Sequence, residues 1–304
     1  MSKKITFVIP VFNSAAVLTE LYDGIIAATK ERNVVPEIIF VNDGSIDNSF
    51  SVISELCSTN PDIVRGVDLT RNFGQHNATL CGFELSTGDY IVSIDDDLAF
   101  NPAQAFTLID ELEKDELDFV YGIASKRNHS LRRMLGRMFL YWGSTLGNKK
   151  IAGASFRVIR KAMVDQLSFK GDVVFIDDLL TQISRRYNYV VLDAQPARIK
   201  SRYSGKKIWK SGLQILFFYS GLPLRLISLI GFTGSAVSGV FGLYFIIKKL
   251  FFHVPVGYTS IIVTILFSAS AILLGIGILG EYIHRMYKNK HRNKAYYIRT
   301  IKNL

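Results

Sequence analysis

Three consecutive carboxylates, Asp95-Asp96-Asp97, close the apolar run Tyr90 to Ile94. Like charges at one strand end repel, and a divalent cation offsets that repulsion. Hard carboxylate oxygens suit Mg²⁺ or Mn²⁺ shared with the phosphates of a bound molecule. A solvated acidic turn is the plain alternative for the triplet alone. A second strand-end acid, Asp43 in Asn42-Asp43-Gly44-Ser45, favours the cation, because the two loops converge on one edge of a sheet. A further pair, Asp177-Asp178, precedes the run Leu179 to Arg186. It reads either as a general base able to deprotonate a hydroxyl or as a helix N-terminal pair stabilised by the dipole.

The elements that must position these acids follow from periodicity. Strand-like runs at Ile5 to Val11, Glu37 to Val41, Val64 to Leu69, Tyr90 to Ile94 and Phe119 to Tyr121 alternate with helical patterns near 15–32, 47–59, 75–86 and 102–114. Such alternation predicts an α/β fold with a doubly wound, mostly parallel sheet. Ligands of such sheets bind beyond the carboxyl ends of the strands. Pro10, Asn42 to Ser45, Arg71-Asn72 and Asp95 to Asp97 all sit there. Asn101-Pro102 reads as the cap and first turn of the next helix. No GxGxxG or GxxxxGK[ST] loop is present, so dinucleotide and P-loop chemistry lack their phosphate cradle.

The chain has 304 residues, 49% of them hydrophobic, and a net charge of +10. The charge suits an acidic partner: nucleic acid, an anionic membrane surface or a phosphorylated substrate. Nucleic acid is set aside, because the basic residues cluster beside two uncharged runs rather than on a groove-reading element. Cys57 and Cys81 lack metal-ligand spacing and read as core thiols. His76, His129, His253 and His284 lack the pairing expected of metal ligands.

Leu226 to Ile247 and Tyr258 to Leu279 carry no charge and are long enough to cross a hydrocarbon core at about 1.5 Å per residue. They predict two transmembrane helices. Arg and Lys before the first run and after the second predict both termini, and the large N-terminal domain, on the cytoplasmic side of a membrane crossed twice. Glycines at Gly231, Gly234, Gly239, Gly242, Gly275, Gly277 and Gly280 permit close helix contacts and leave a homo-oligomer open. Leu131 to Leu146, with Arg132, Arg133 and Arg137, reads as an amphipathic interfacial helix or as packing inside the domain, and Lys210 to Arg225 as another such helix. The expected division is 1–200, a large α/β domain; 201–225, a basic segment and interfacial helix; 226–280, a two-helix anchor; and 281–304, a basic cytoplasmic tail.

Val8-Ile9-Pro10-Val11-Phe12-Asn13, Val41-Asn42-Asp43-Gly44-Ser45, Arg71-Asn72-Phe73-Gly74-Gln75-His76, Thr87-Gly88-Asp89-Tyr90 and Ile94-Asp95-Asp96-Asp97-Leu98 resemble, in order and spacing, family 2 glycosyltransferases of the polyprenyl-phosphate branch. That branch includes bactoprenol glucosyltransferases, dolichyl-phosphate mannose synthases and undecaprenyl-phosphate aminoarabinose transferases. Pro223-Leu224-Arg225 and Leu279 to Tyr287 extend the resemblance over nearly the whole chain. It implies a glycosyltransferase A-type fold, a nucleotide-sugar donor and a polyprenyl phosphate acceptor, which would make 1–200 the nucleotide-sugar-binding catalytic domain of a multi-pass protein of the bacterial cytoplasmic (inner) membrane. Pro10, Phe12, Asp43 and Asp96 would line the nucleotide pocket, with Arg71 and Asn72 bordering it or supporting the Asp43 loop. Asp95 and Asp97 would hold the metal. Arg202-Tyr203-Ser204-Gly205-Lys206-Lys207 resembles the acceptor-phosphate segment, so Arg202 with Lys206 or Lys207 would bind the lipid phosphate.

The chain departs from the family at several positions. Ala99 replaces a Gln that would add a metal ligand, and Ser14 replaces a Glu. The arginine after the fifth strand is not obvious, with Lys126 or Arg127 as substitutes. A phosphate monoester has a second pKa of about 6, so the acceptor is already a nucleophile and needs no base. The resemblance therefore implies direct displacement with inversion, serving cell-envelope glycan modification such as the O-antigen. Two other readings stay open: a glycan-elongating transferase with Asp177 or Asp178 as base, and a homologue that binds without catalysing.

Overall fold

A computed structural model describes residues 3–125, 155–167, 176–195 and 295–303, together with scattered helical positions between 233 and 283. The chain forms two compact units. One comprises Met1–His129, Ile151–Arg202 and Arg292–Leu304, the other Ser130–Lys150 and Tyr203–His291.

The first unit is organised around β1 (Ile5–Val11), every residue of which is buried. Alternation sends its side chains to opposite faces. Ile5, Phe7, Ile9 and Val11 pack with Leu18, Leu21 and Ile25 of α1 (Leu18–Glu31), Ile53 and Leu56 of α2 (Ser49–Thr59) and Leu108 and Leu112 of α4 (Gln104–Lys114). Val8 points the other way, into Ala78, Leu80, Cys81 and Phe83 of α3 (Gln75–Leu85). A Cβ on Gly82 would fall 2.2 Å from Val8 Cγ1, so glycine sets how closely α3 lies on the sheet. Double burial is why β1 reads as a continuous apolar run.

Beside β1 lie β2 (Pro36–Asn42) and β4 (Tyr90–Ser93), both parallel to it, and β3 (Val64–Leu69) extends the parallel array from β2. The remaining strands are β5 (Phe119–Ala124), β6 (Arg157–Arg160), β7 (Tyr187–Leu192) and β8 (Ile298–Lys302), giving the order β7-β5-β6-β4-β1-β2-β3-β8. The sheet is mixed: β4 with β6, β5 with β6, and β3 with β8 are antiparallel. The parallel core matches the sequence expectation, and the antiparallel strands correct it. β6 has four residues, the first and last of them arginines, and β8 mixes Arg299, Thr300 and Lys302 with two isoleucines; neither carries the apolar run that marks a buried strand. A single helical turn, α5 (Lys161–Val164), follows β6, and α6 (Ile176–Ile183) precedes β7.

The expectation of two membrane-crossing helices is corrected. Among the described residues, no helix is long and apolar enough to cross a membrane. A crossing requires about 20 consecutive apolar helical residues, and no described helix offers them. An uncharged run registers avoidance of water, which a buried interior satisfies as a bilayer does. The multi-pass inner-membrane localisation, with the catalytic domain and both termini cytoplasmic, rested on those spans and falls with them. The interfacial helices expected at 131–146 and 210–225 lie outside the described residues.

Candidate active site

The carboxyl ends of β1 to β4 carry the loops that hold the acids. Asp43, directly after β2, is 2% exposed. Its Oδ1 accepts the Phe73 N–H at 2.6 Å and its Oδ2 the Gly74 N–H at 2.9 Å, so the loop after β3 hangs on this carboxylate. Burial pushes the Asp43 carboxyl up from its usual range, tempered by those two amides and by Arg71. Gly44, at φ +65°, brings the two loops together: a Cβ there would lie 2.6 Å from the Arg71 carbonyl carbon. Only glycine tolerates both the backbone conformation and the approach. Arg71 itself is exposed, with its guanidinium 4.4 Å from the centre of the Phe73 ring.

The triplet divides its labour. Asp96 Oδ2 accepts the Phe12 N–H at 3.1 Å and the Ser14 hydroxyl at 2.5 Å. Burial raises its carboxyl, and the Ser14 and Phe12 hydrogen bonds oppose that rise. Ser14 thereby joins the loop after β1 to Asp96. Asp97 is half-buried and caps its own turn through the Ala99 N–H at 3.0 Å. Asp95 accepts a hydrogen bond from Gln75 at the start of α3 and another from Ser155. Desolvation, reinforced by Asp97 and Asp96, pushes the Asp95 carboxyl up to about 7 against the opposing pull of Ser155 and Arg157.

The other expected residues fall in three groups. Pro10 is buried inside β1 in register with Val41, while Phe12 is 46% exposed at the rim. Arg202, Lys206, Lys207, Lys126 and Arg127 lie outside the described residues. Asp177 and Asp178 occupy the first turn of α6, as the dipole reading expects. Asp177 is 1% exposed and pairs with buried Arg157 at 2.5 Å. Asp178 is half-buried, and burial followed by the Asp177 charge raises its carboxyl.

Several participants were invisible in the spacing. Ser14, Gln75 and Ser155 reach the triplet from three different elements, and register between β4 and β6 sets Arg157 opposite Ser93, two residues before Asp95. Ile46 is 92% exposed on the rim, its N–H held by the Asn13 side chain at 2.8 Å.

The donor set fits a divalent cation shared with a ligand. Among the described residues no group of three or more His, Cys, Asp or Glu forms a closed metal cage. An Mg²⁺-type ion held by one or two carboxylates plus phosphate oxygens needs no such cage. Asp95 and Asp97 could supply that partial set, and a cation beside them would offset the repulsion among the three acids.

Residues 6–168 match the family model described as glycosyl transferase family 2. The bactoprenol glucosyl transferase of Shigella phage SfV is 32% identical over 96% of this chain and 97% of its own length. An undecaprenyl-phosphate 4-deoxy-4-formamido-L-arabinose transferase of Pseudomonas aeruginosa (strain LESB58) is 31% identical over 98% of this chain and 90% of its own. Among solved structures, the mannosyltransferase PcManGT from Pyrobaculum calidifontis, in complex with GDP-Man and Mn²⁺, shares the fold with a TM-score of 0.53 at 19% identity, covering 74% of this chain and 65% of that one. The glucosyl-3-phosphoglycerate synthase of Mycobacterium tuberculosis, in complex with Mn²⁺ and UDP-Glc, does so with a TM-score of 0.51 at 14% identity, over 71% of this chain and 77% of that one. With its loops gathered on one sheet edge and its similarity running nearly end to end, the chain belongs to glycosyl transferase family 2, within the polyprenyl-phosphate branch, and is a glycosyltransferase.

Proposed function

We propose that this enzyme moves a sugar from a nucleotide diphosphate donor to the phosphate of a polyprenyl phosphate, by direct displacement with inversion at the anomeric carbon. The relatives' names support the acceptor class, bactoprenol and undecaprenyl phosphate among them. The observation that carries the reading is the state of Asp177. It is buried and tied to Arg157, whereas a general base must reach the proton it removes. A phosphate acceptor, ionised at neutral pH, needs no base; a sugar hydroxyl does.

The division of roles follows. Phe12 and the Asp96 loop border the nucleotide, with Asp43 holding the 71–74 loop against it. Asp95 and Asp97 face the diphosphate, and a Mg²⁺ or Mn²⁺ held there would neutralise the leaving group. Arg202 with Lys206 or Lys207 would hold the lipid phosphate in line, which matters because the reaction brings two anions together. The setting we infer is cell-envelope glycan modification.

Labelled UDP-glucose, GDP-mannose and dTDP-glucose, each offered with undecaprenyl phosphate and, separately, with unphosphorylated undecaprenol, test the reading. Label in a lipid-linked sugar phosphate from the phosphorylated acceptor alone is the expected result. Efficient transfer to the alcohol would overturn it, since that reaction requires a base.

A further inference from the structure

We infer that Arg299, on the strand contributed by the C-terminal segment, is a positioning residue for the donor-nucleotide loops. The inference rests on the proposed donor site and adds to it an element from the far end of the sequence.

β8 does more than extend the sheet. The Arg299 guanidinium reaches Asp68 Oδ2 at 3.1 Å and the Thr70 carbonyl at 2.9 Å, bridging the last residues of β3 to the loop that follows. Buried Asp68 passes the constraint on: its Oδ1 accepts the Asn42 side-chain amide at 2.7 Å. Asn42 in turn accepts the Ser45 N–H at 3.3 Å through its own Oδ1. A continuous chain of polar contacts thus runs from Arg299 to the loop carrying Asp43. The same segment grips the neighbouring loop directly. The Thr70 N–H donates to the Tyr297 carbonyl at 2.9 Å, and the Tyr297 ring sits 6.2 Å from that of Phe73. The loop 70–74 is therefore fixed on one side by Asp43 and on the other by the C-terminal strand.

The contact geometry separates positioning from bulk stability. The Arg299 side chain is 61% exposed, and a solvent-screened ion pair adds little to global stability. Two acceptors, each met by its own terminal nitrogen, suit a guanidinium fork, which lysine's single ammonium cannot duplicate. Loss of the fork frees Asp68 to reorient, and with it Asn42 and the amides beyond.

The experiment compares wild type, Arg299→Ala, Arg299→Lys and Asp43→Asn by two readouts. One is steady-state transfer from UDP-glucose, GDP-mannose or dTDP-glucose, with donor and undecaprenyl phosphate varied separately. The other is amide hydrogen exchange of the free enzyme. Arg299→Ala is expected to raise donor KM about five- to tenfold, a cost of about 1 to 1.4 kcal/mol by the tenfold-per-1.36 conversion, with kcat and acceptor KM within twofold. Exchange should quicken at residues 43–46 and 71–75 and stay unchanged in β4. Arg299→Lys should recover part of the donor KM. An unchanged donor KM and unchanged exchange in Arg299→Ala overturn the inference. If Asp43→Asn also keeps the wild-type donor KM, the donor-site reading itself fails; if Asp43→Asn alone is impaired, that reading stands and only the role of Arg299 falls.

Discussion

At the scale of single residues, the most consequential contact is the buried pair Arg157–Asp177. The two side chains are 3% and 1% exposed, and the Tyr121 hydroxyl hydrogen-bonds the same Asp177 carboxylate. Breaking such a pair leaves an uncompensated charge in a dry interior, at a cost of about 3–5 kcal/mol. Asp177→Ala should therefore lower the unfolding free energy by about that amount in urea titration, whereas Asp178→Ala should change it by less than about 1 kcal/mol. Equal, small effects would mean that Asp177 is solvated and free to act as a base. The sequence marked Asp177 and Asp178 as notable without separating them. What separates them is a partner 20 positions away in the chain, on a strand too short and too charged to announce itself. The same limit explains Ser14, whose link to Asp96 spans 82 positions. The acids themselves were legible because an apolar strand ending in carboxylates is a local pattern.

At the scale of elements, the first five strands and four helices follow the predicted segments within a few residues, because buried parallel strands are written as apolar runs. Glu37 shows how those strands are held in register at the opposite end from the site. Its carboxylate accepts Thr6 Oγ1 at 2.5 Å, the Thr87 N–H at 2.8 Å and Thr87 Oγ1 at 2.7 Å, and pairs with Arg65 at 3.1 Å. Burial alone would raise its pKa; these donors and the Arg65 charge outweigh it and hold the group below its ordinary 4.5. A carboxyl lowered in the folded state stabilises fully above its unfolded value and loses that contribution as pH falls through the folded one. Glu37→Gln should thus cost about 1–3 kcal/mol at neutral pH. The gap to wild type should narrow progressively below pH 4.5 in acid titrations followed by circular dichroism. A gap that widened on acidification would contradict the sign.

At the scale of the whole molecule, the first unit is assembled from three separate stretches of sequence, and its last strand arrives after the second unit. That closure was not legible: residues 281–304 read as a basic tail, since a five-residue edge strand with Arg299, Thr300 and Lys302 among two isoleucines looks like solvated chain. Cys57 lies under this closure, its carbonyl accepting the Asn303 side chain at 2.7 Å. Burial pushes the Cys57 thiol up to about 11 and raises Cys81 as well. Neither should react with iodoacetamide at pH 8 in the native protein, and both should label together across the unfolding transition, as read by mass spectrometry. Labelling of Cys57 well before Cys81 would show that the C-terminal strand detaches on its own.

The central claim is that catalysis needs the carboxylates after β4 and no base from α6. Single-turnover transfer from a labelled nucleotide sugar to undecaprenyl phosphate, with Asp97→Asn and Asp178→Asn run beside wild type, tests it most directly. A loss of about a hundredfold or more in Asp97→Asn, the scale of one transition-state contact, with Asp178→Asn within a fewfold of wild type, is the predicted result. Abolished transfer in Asp178→Asn with activity retained in Asp97→Asn would contradict the account and restore the α6 acid as the general base.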